Sequence, residues 1–442
     1  MKVQPSSNNT LDHIYQKLVN EEDARVCTDI SEHACKVVPG NFLLQIIAQF
    51  FTKLGDAIAS PKTVLAWLFG ALSVPGIFTA FLVPVRESGS LIPQLVIASY
   101  IRSQQLRKWA FVIGCILQGL AILAIAAMAL TLSGAAAGAA IIAALVVFSL
   151  ARGLCSVASK DVMGKTIPKT RRGRLNGWSA SLAGLATLGV GVVLWLGLGG
   201  DGGELSLFAL LLLVAALLWF AAAFAYGMIE EEPGATAGGK NAISEAFARL
   251  RLLIDDVPFR RFVIARSLLL CSALTAPFIV ILAHDNTGAA AAMLGLFVMA
   301  DGLASLSSAP FWGRFSDTSS RQVMVYAGAT AAAVGALLVA IVVLFPALAA
   351  SPWLYPLFFF VLAIAHAGVR LGRKTYVVDM AGGNKRTDYV AVSNTVIGVV
   401  LLLAGSVGAL TVIMPVTGVI LVLSAMGFAG AWLSSRLPEV SG

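Results

Sequence analysis

The sequence predicts an all-α polytopic membrane protein, with 12 transmembrane helices arranged as two six-helix pseudo-repeats. Three observations carry this reading. First, 58% of the 442 residues are hydrophobic, only 12% are charged, and mean hydropathy is +0.86. Soluble domains carry roughly 25% charge, and so little charge cannot cover a soluble surface. Second, apolar runs long enough to span a bilayer recur along almost the whole chain. Third, lysine and arginine are confined to every second loop. The 42 glycines suit closely packed membrane helices.

In chain order, residues 1–41 form a polar tail without the apolar core of a cleavable signal. The tail holds a short amphipathic pattern, Leu11, Ile14, Tyr15 and Leu18, behind a cap at Thr10. Spans follow at 42–70, 74–101, 108–131, 137–159, 175–198 and 206–228. A polar stretch, 230–261, carries a second amphipathic pattern, Phe247, Leu250 and Ile254, beside Arg249 and Arg251. Both patterns fit either the membrane surface or the underside of a helix bundle. Six more spans lie at 262–283, 291–313, 321–345, 353–375, 388–412 and 415–435. The expected organisation is a tail 1–41, a bundle 42–229, a central loop 230–261, a bundle 262–436 and a C-terminus 437–442.

The first two spans are interrupted by Lys53, Asp56, Lys62, Arg86 and Glu87. An internal repeat decides how to read them. A shift of 214 residues places Ser99, Ser103 and Arg107 on Gly313, Asp317 and Arg321. The same shift places Lys160 on Lys374, Ser179 on Ser393, and Glu87 on Asp301. Asp301 lies inside a clean apolar span, so Glu87 is expected inside the second helix rather than in a loop.

Basic residues set the topology. Loops after the second, fourth, sixth, eighth and tenth spans carry Lys or Arg, such as Arg102, Lys165, Arg260, Arg314 and Lys385. The alternate loops carry none and hold Asp201, Glu204 and Asp285. Both termini and the central loop are therefore expected in the cytoplasm. The absence of a signal and the Ala/Gly-rich spans suit a bacterial inner membrane. The net charge of +8 reflects this asymmetry, so no nucleic-acid partner is implied.

Cys115, Cys155 and Cys271 sit in apolar spans and read as small packing residues. Cys27 and Cys35 flank His33 in the tail, but their spacing matches no standard metal set. The four histidines, His13, His33, His284 and His366, are scattered. No phosphate loop, H-E-x-x-H or G-x-S-x-G motif occurs. Neither a metal, a cofactor nor an enzymatic activity is expected.

Twelve helices in a 6+6 repeat, with a cytoplasmic central loop and termini, resemble the major facilitator superfamily over about residues 42–436. The sharpest local feature is Gly313-Arg-Phe-Ser-Asp317-Thr-Ser-Ser-Arg321, which looks like the family's G-x-x-x-D-x-x-x-R signature. The resemblance implies a latch at the cytoplasmic side, formed by Gly313, Asp317, Arg321 and Arg107. An acid and a base four apart can pair across one helical turn, and Gly313 would let helices approach. The first-half copy departs from the pattern, with Ser99 and Ser103 in place of Gly and Asp. Pro168-Lys-Thr-Arg-Arg172-Gly173-Arg174 is similar to the family's P-x-x-x-R-G-R run, and positive-inside anchoring explains it equally well.

Ionisable groups inside a bilayer cost roughly 2.5–3.5 kcal/mol each on insertion scales, which makes them functional candidates. The candidates for substrate binding or proton coupling are Lys53, Asp56, Arg86, Glu87, Arg152, Asp301 and His366. Lys53 and Asp56 are three apart and can share a face, either as a structural brace or in coupling. Arg86 and Glu87 are adjacent, so they are not expected to face each other. Glu87 and Asp301 could carry protons or serve as hydrogen-bond partners. Arg152 could bind an anionic substrate or snorkel to the interface. His366 titrates in a useful range, although a lone histidine more often packs. Gly55, Ser60-Pro61, Pro75, Pro84, Pro93 and Pro277 are hinge or kink candidates.

The expected function is secondary active transport of a small molecule by alternating access, with protons as coupling ion and export favoured as the direction. The protein would work as a monomer in the lipid bilayer. A transport-dead membrane sensor or scaffold, or a lipid or amphiphile translocase of the same fold, is the alternative.

Overall fold

In a computed structural model of the chain, the residues described are 36–197, 204–234, 236, 250–287, 291–380 and 385–440. The tail pattern at Leu11–Leu18, Cys27, Cys35, His13, His33 and Phe247 lie outside them. The described residues are helical, without strands. Nine of their helices are long and apolar enough to cross a membrane. The protein is an integral membrane protein.

Eight helices make up the first half: α1 (Val38–Ile58), α2 (Val64–Ala71), α3 (Gly76–Leu91), α4 (Gln94–Arg102), α5 (Lys108–Thr131), α6 (Gly134–Thr166), α7 (Lys169–Trp195) and α8 (Glu204–Gly227). Seven make up the second: α9 (Val257–Leu268), α10 (Cys271–Thr287), α11 (Ala291–Thr318), α12 (Ser320–Leu344), α13 (Leu354–Met380), α14 (Lys385–Gly405) and α15 (Val416–Ser435). A 3-10 turn, Ser406–Val412, extends α14.

Proline explains two of the breaks. Ser60-Pro61 separates α1 from α2, because proline lacks a donor and disfavours helix at the residue before it. Pro93 separates α3 from α4 in the same way. Pro84 and Pro277, by contrast, lie inside α3 and α10 without ending them. The break between α9 and α10 falls at Leu269-Leu270 instead.

Within the first half, α5 packs on α6 and α8, α3 on α6, and α1 on α7 and α8. Within the second, α12 packs on α13 and α15, and α11 on α13. The halves meet chiefly through α7 on α11 and α3 on α14. Glycine makes the first of these contacts possible. A Cβ on Gly295 would meet the Gly191 carbonyl at 2.8 Å, and one on Gly191 would meet the Met299 nitrogen at 2.6 Å. Only bare backbones fit, as in small-residue membrane packing.

One end of the bundle is rich in basic side chains, tied down within each half. Lys108 Nζ donates to the carbonyls of Gly227 (2.9 Å) and Ile229 (2.7 Å). Lys165 Nζ pairs with Glu231 at 2.9 Å. Asn41 exchanges two 2.9 Å hydrogen bonds with the backbone of Glu230. Several helices run further at this basic end than the apolar runs suggest: α6 to Thr166, α11 to Thr318 and α13 to Met380. Helical hydrogen bonding continues there, although apolarity stops.

The opposite end is sealed between halves. The Trp67 ring on α2 meets His284 of α10 edge-on at 5.2 Å and Phe297 of α11 at 6.2 Å. Phe297 in turn meets Phe359 of α13 at 5.3 Å. Trp67 and Phe297 are fully buried. Gly405 fits against Phe81 and Pro84, adding a second closure between α14 and α3.

Candidate functional site

A cavity of about 560 Å³ lies between the halves, on the basic side of the seal. Its walls come from α1, the α1–α2 break, α3, α6 and α7 on one side. On the other they come from α10, α11, α13 and α14. Ala180, Ser305 and Arg370 in these walls remain exposed.

All seven sequence candidates line this one cavity: Lys53, Asp56, Arg86, Glu87, Arg152, Asp301 and His366. The first-half charges form a closed network. Arg86 lies 2.7 Å from Asp56 Oδ1 and 2.7 Å from Glu87 Oε1. Arg152 lies 3.2 Å from the same Glu87 oxygen and 3.7 Å from Asp56 Oδ2. Three helices, α1, α3 and α6, are cross-tied by these contacts. The Arg86 guanidinium also sits 5.9 Å over the Phe148 ring.

Two pairings differ from the sequence reading. Arg86 and Glu87 do meet, because the long arginine side chain folds back over its neighbour while its other nitrogen reaches Asp56. Lys53 does not brace Asp56. Its Nζ donates to Ser179 Oγ at 2.6 Å and to the Asn176 carbonyl at 3.3 Å, both on α7. Interhelical partners outcompete a same-helix pair because they also satisfy α7.

The second half repeats this last contact. Arg266 on α9 donates to Ser393 Oγ and, at 2.9 Å, to Asn394 Oδ1, both on α14. Ser179 and Ser393 are the repeat-related serines. A basic residue on the first span of each half thus holds a serine on the fifth, with the first-span position shifted by one residue.

Asp301 and His366 face the network from the second half. His366 Nδ1 lies 3.1 Å from Ser272 Oγ. Asp301 forms no ion pair or hydrogen bond among the described residues, and the charges interacting with it are Lys62 and Arg370.

The latch residues are placed differently from expectation. Gly313 lies inside α11 rather than in a loop, and among the described residues nothing stands within 4 Å of a Cβ there. Arg107 pairs with Asp161 of the first half. Arg321 lies 3.2 Å from Glu439 and donates to the Leu437 carbonyl at 3.1 Å. These contacts tie each arginine within its own half. The side chain of Asp317 lies outside the described residues.

Lys62, Arg370 and Arg373 also line the cavity and escape the sequence reading. Lys62 sits at the Ser60-Pro61 break, the one place where the first span offers free backbone. Arg373 falls just inside the end of the 353–375 span and reads as a loop anchor only if it is counted with the basic residues that follow, whereas α13 runs on to Met380. The spacing His366, Arg370, Arg373 is four then three, which puts all three on one helix face, and that signal was available.

No family model matches the sequence, and no curated protein matches it. Solved structures do. A POT family transporter in complex with 5-aminolevulinic acid is similar at TM-score 0.68 and 10% identity, over 90% of this chain and 96% of the other. The inward-open xylose transporter XylE from E. coli is similar at TM-score 0.65 and 12% identity, over 91% and 96%. The nucleoside transporter NupG is similar at TM-score 0.64 and 15% identity, over 90% and 99%. The shared architecture is the major facilitator fold.

The network predicts a ranking of stabilities. The Arg86 side chain is only 9% exposed, against 29% for Arg152, and holds both acids at shorter range. Removing one partner from a buried pair costs about 3–5 kcal/mol. Arg86→Met should therefore lower the unfolding midpoint of the detergent-purified protein more than Arg152→Met does. Equal or reversed losses contradict the assigned roles.

Proposed function

We propose that this chain is a secondary active transporter that carries a small molecule across a membrane by alternating access. One observation carries the reading: a charged cavity lies between the two halves, is walled by both, and is sealed at one end by side chains from both. Such a site can be exposed to either side by rocking one half against the other. Joining the broken pairs α1–α2, α3–α4 and α9–α10 gives twelve spans, six on each side of the central segment. Positive-inside bias places the basic end, the termini and the central segment in the cytoplasm. The state described is then inward-facing, in a monomer in the inner membrane of a bacterium.

Spin-label pairs test the rocking motion. Gln105 and Thr318 are exposed at the basic end, and Thr131 and Leu348 at the other. In a cysteine-free background, the two pairs should show distance populations that shift in opposite senses. Single fixed distances for both pairs would refute alternating access.

Coupling to protons follows from the intramembrane carboxylates. Glu87 is held by two guanidiniums, whereas Asp301 has no such partner. Asp301 is therefore the favoured proton carrier and Glu87 the structural one. In proteoliposomes, Asp301→Asn should retain substrate exchange but lose accumulation driven by a pH gradient. Glu87→Gln should lose stability before it loses coupling. Full gradient-driven accumulation by Asp301→Asn would remove that role.

A further inference from the structure

The cavity is electrically lopsided. Lys53, Lys62, Arg86, Arg152, Arg370 and Arg373 line it against only Asp56, Glu87 and Asp301. In the first half Arg86 and Arg152 pair with Asp56 and Glu87, which leaves Lys53 and Lys62 in excess. On the second-half wall Arg370 interacts with Asp301, and the acid interacting with Arg373 is Glu87, which Arg86 and Arg152 already hold. Among the described residues neither Arg370 nor Arg373 forms an ion pair or a hydrogen bond, and Arg373 Nε is buried without a partner. Asp301, the one acid of that wall, is shared with Lys62 of the first half.

An arginine cannot relieve this by losing its proton. Uncompensated charge in a lipid-bounded interior is costly, so a counter-charge is required. Among the described lining residues three acids stand against six bases, which leaves three positive charges in excess. The two guanidiniums stand one turn apart on α13 and present fork-shaped donors suited to the oxygens of a carboxylate or phosphate. Lys53 and Lys62 interact electrostatically with Arg370 from the opposite wall. The remaining lining is largely apolar, for example Val83, Leu91, Phe359 and Leu362.

We propose that the cavity binds an organic anion, its carboxylate or phosphate held by Arg370 and Arg373 on one wall and approached by Lys53 and Lys62 on the other, its body against the apolar lining. The anion also removes the repulsion between like charges on the two halves, so its binding favours closure of the basic end. This rests on the transporter reading only where it makes the anion the cargo.

The full chain in non-ionic detergent would be titrated calorimetrically with phenyl phosphate and benzoate, and with benzylamine and benzyl alcohol as cationic and neutral counterparts. The anions should bind saturably, and at least one of them at least tenfold more weakly to Arg373→Gln and Arg370→Gln. Arg251→Gln, an exposed basic residue outside the cavity, should bind like the parent. Size-exclusion profiles and unfolding midpoints of the variants identify misfolding, and Arg373→Lys should then restore part of the affinity. Phenyl phosphate should also shorten the Gln105–Thr318 distance. Preference for benzylamine, no saturable anion binding, or binding indifferent to both arginines would overturn the proposal. Anion binding without transport into proteoliposomes would instead refute the transporter reading and leave the site standing.

Discussion

A charge inside a membrane-bounded fold must find a counter-charge or polar partners, and most of this structure's polar architecture follows from that constraint. The low charge content of the sequence leaves few groups to arrange. At the basic end some are paired within a half, Lys165 with Glu231, Arg107 with Asp161 and Arg321 with Glu439, and others, such as Lys108, are held by backbone carbonyls. Those in the middle converge on one cavity. There Arg86 and Arg152 pair with Asp56 and Glu87, whereas Lys53, Lys62, Arg370 and Arg373 outnumber the one remaining acid, Asp301.

This division gives the two halves different work. The first-half network ties α1, α3 and α6 together just before the Ser60-Pro61 and Pro93 breaks. The second-half wall keeps its guanidiniums available. Repeat symmetry survives where it is structural, in Lys53 with Ser179 and Arg266 with Ser393. It lapses where Arg152 is matched by His366 and where Arg370 and Arg373 are matched by serines. Asymmetry of that kind is expected of a site that must recognise an asymmetric ligand.

The spans were legible because lipid demands about twenty apolar residues and little else. The third, 108–131, is the same in sequence and structure, and most others differ at both ends, some by several residues. The errors lie where helices outrun the membrane, since a helix can continue through lysine and arginine once it leaves lipid. Arg373, at the end of the 353–375 span, is passed over as a candidate for that reason, and with it the second-half wall. Ion partners were not legible either. Spacing along one helix favours Lys53 with Asp56 and separates Arg86 from Glu87, but long side chains pair across helices, and only the bundle decides which.

The account stands on the cavity being reachable from both faces of the membrane in turn. Ser305 lies in its wall and is exposed. A single cysteine there, in an otherwise cysteine-free chain, can be challenged with a membrane-impermeant thiol reagent in inside-out and right-side-out vesicles. Rapid labelling from the basic side is expected, with slower labelling from the other side as the Trp67–His284 seal opens. Labelling from the basic side alone would make this a one-sided pocket and contradict transport.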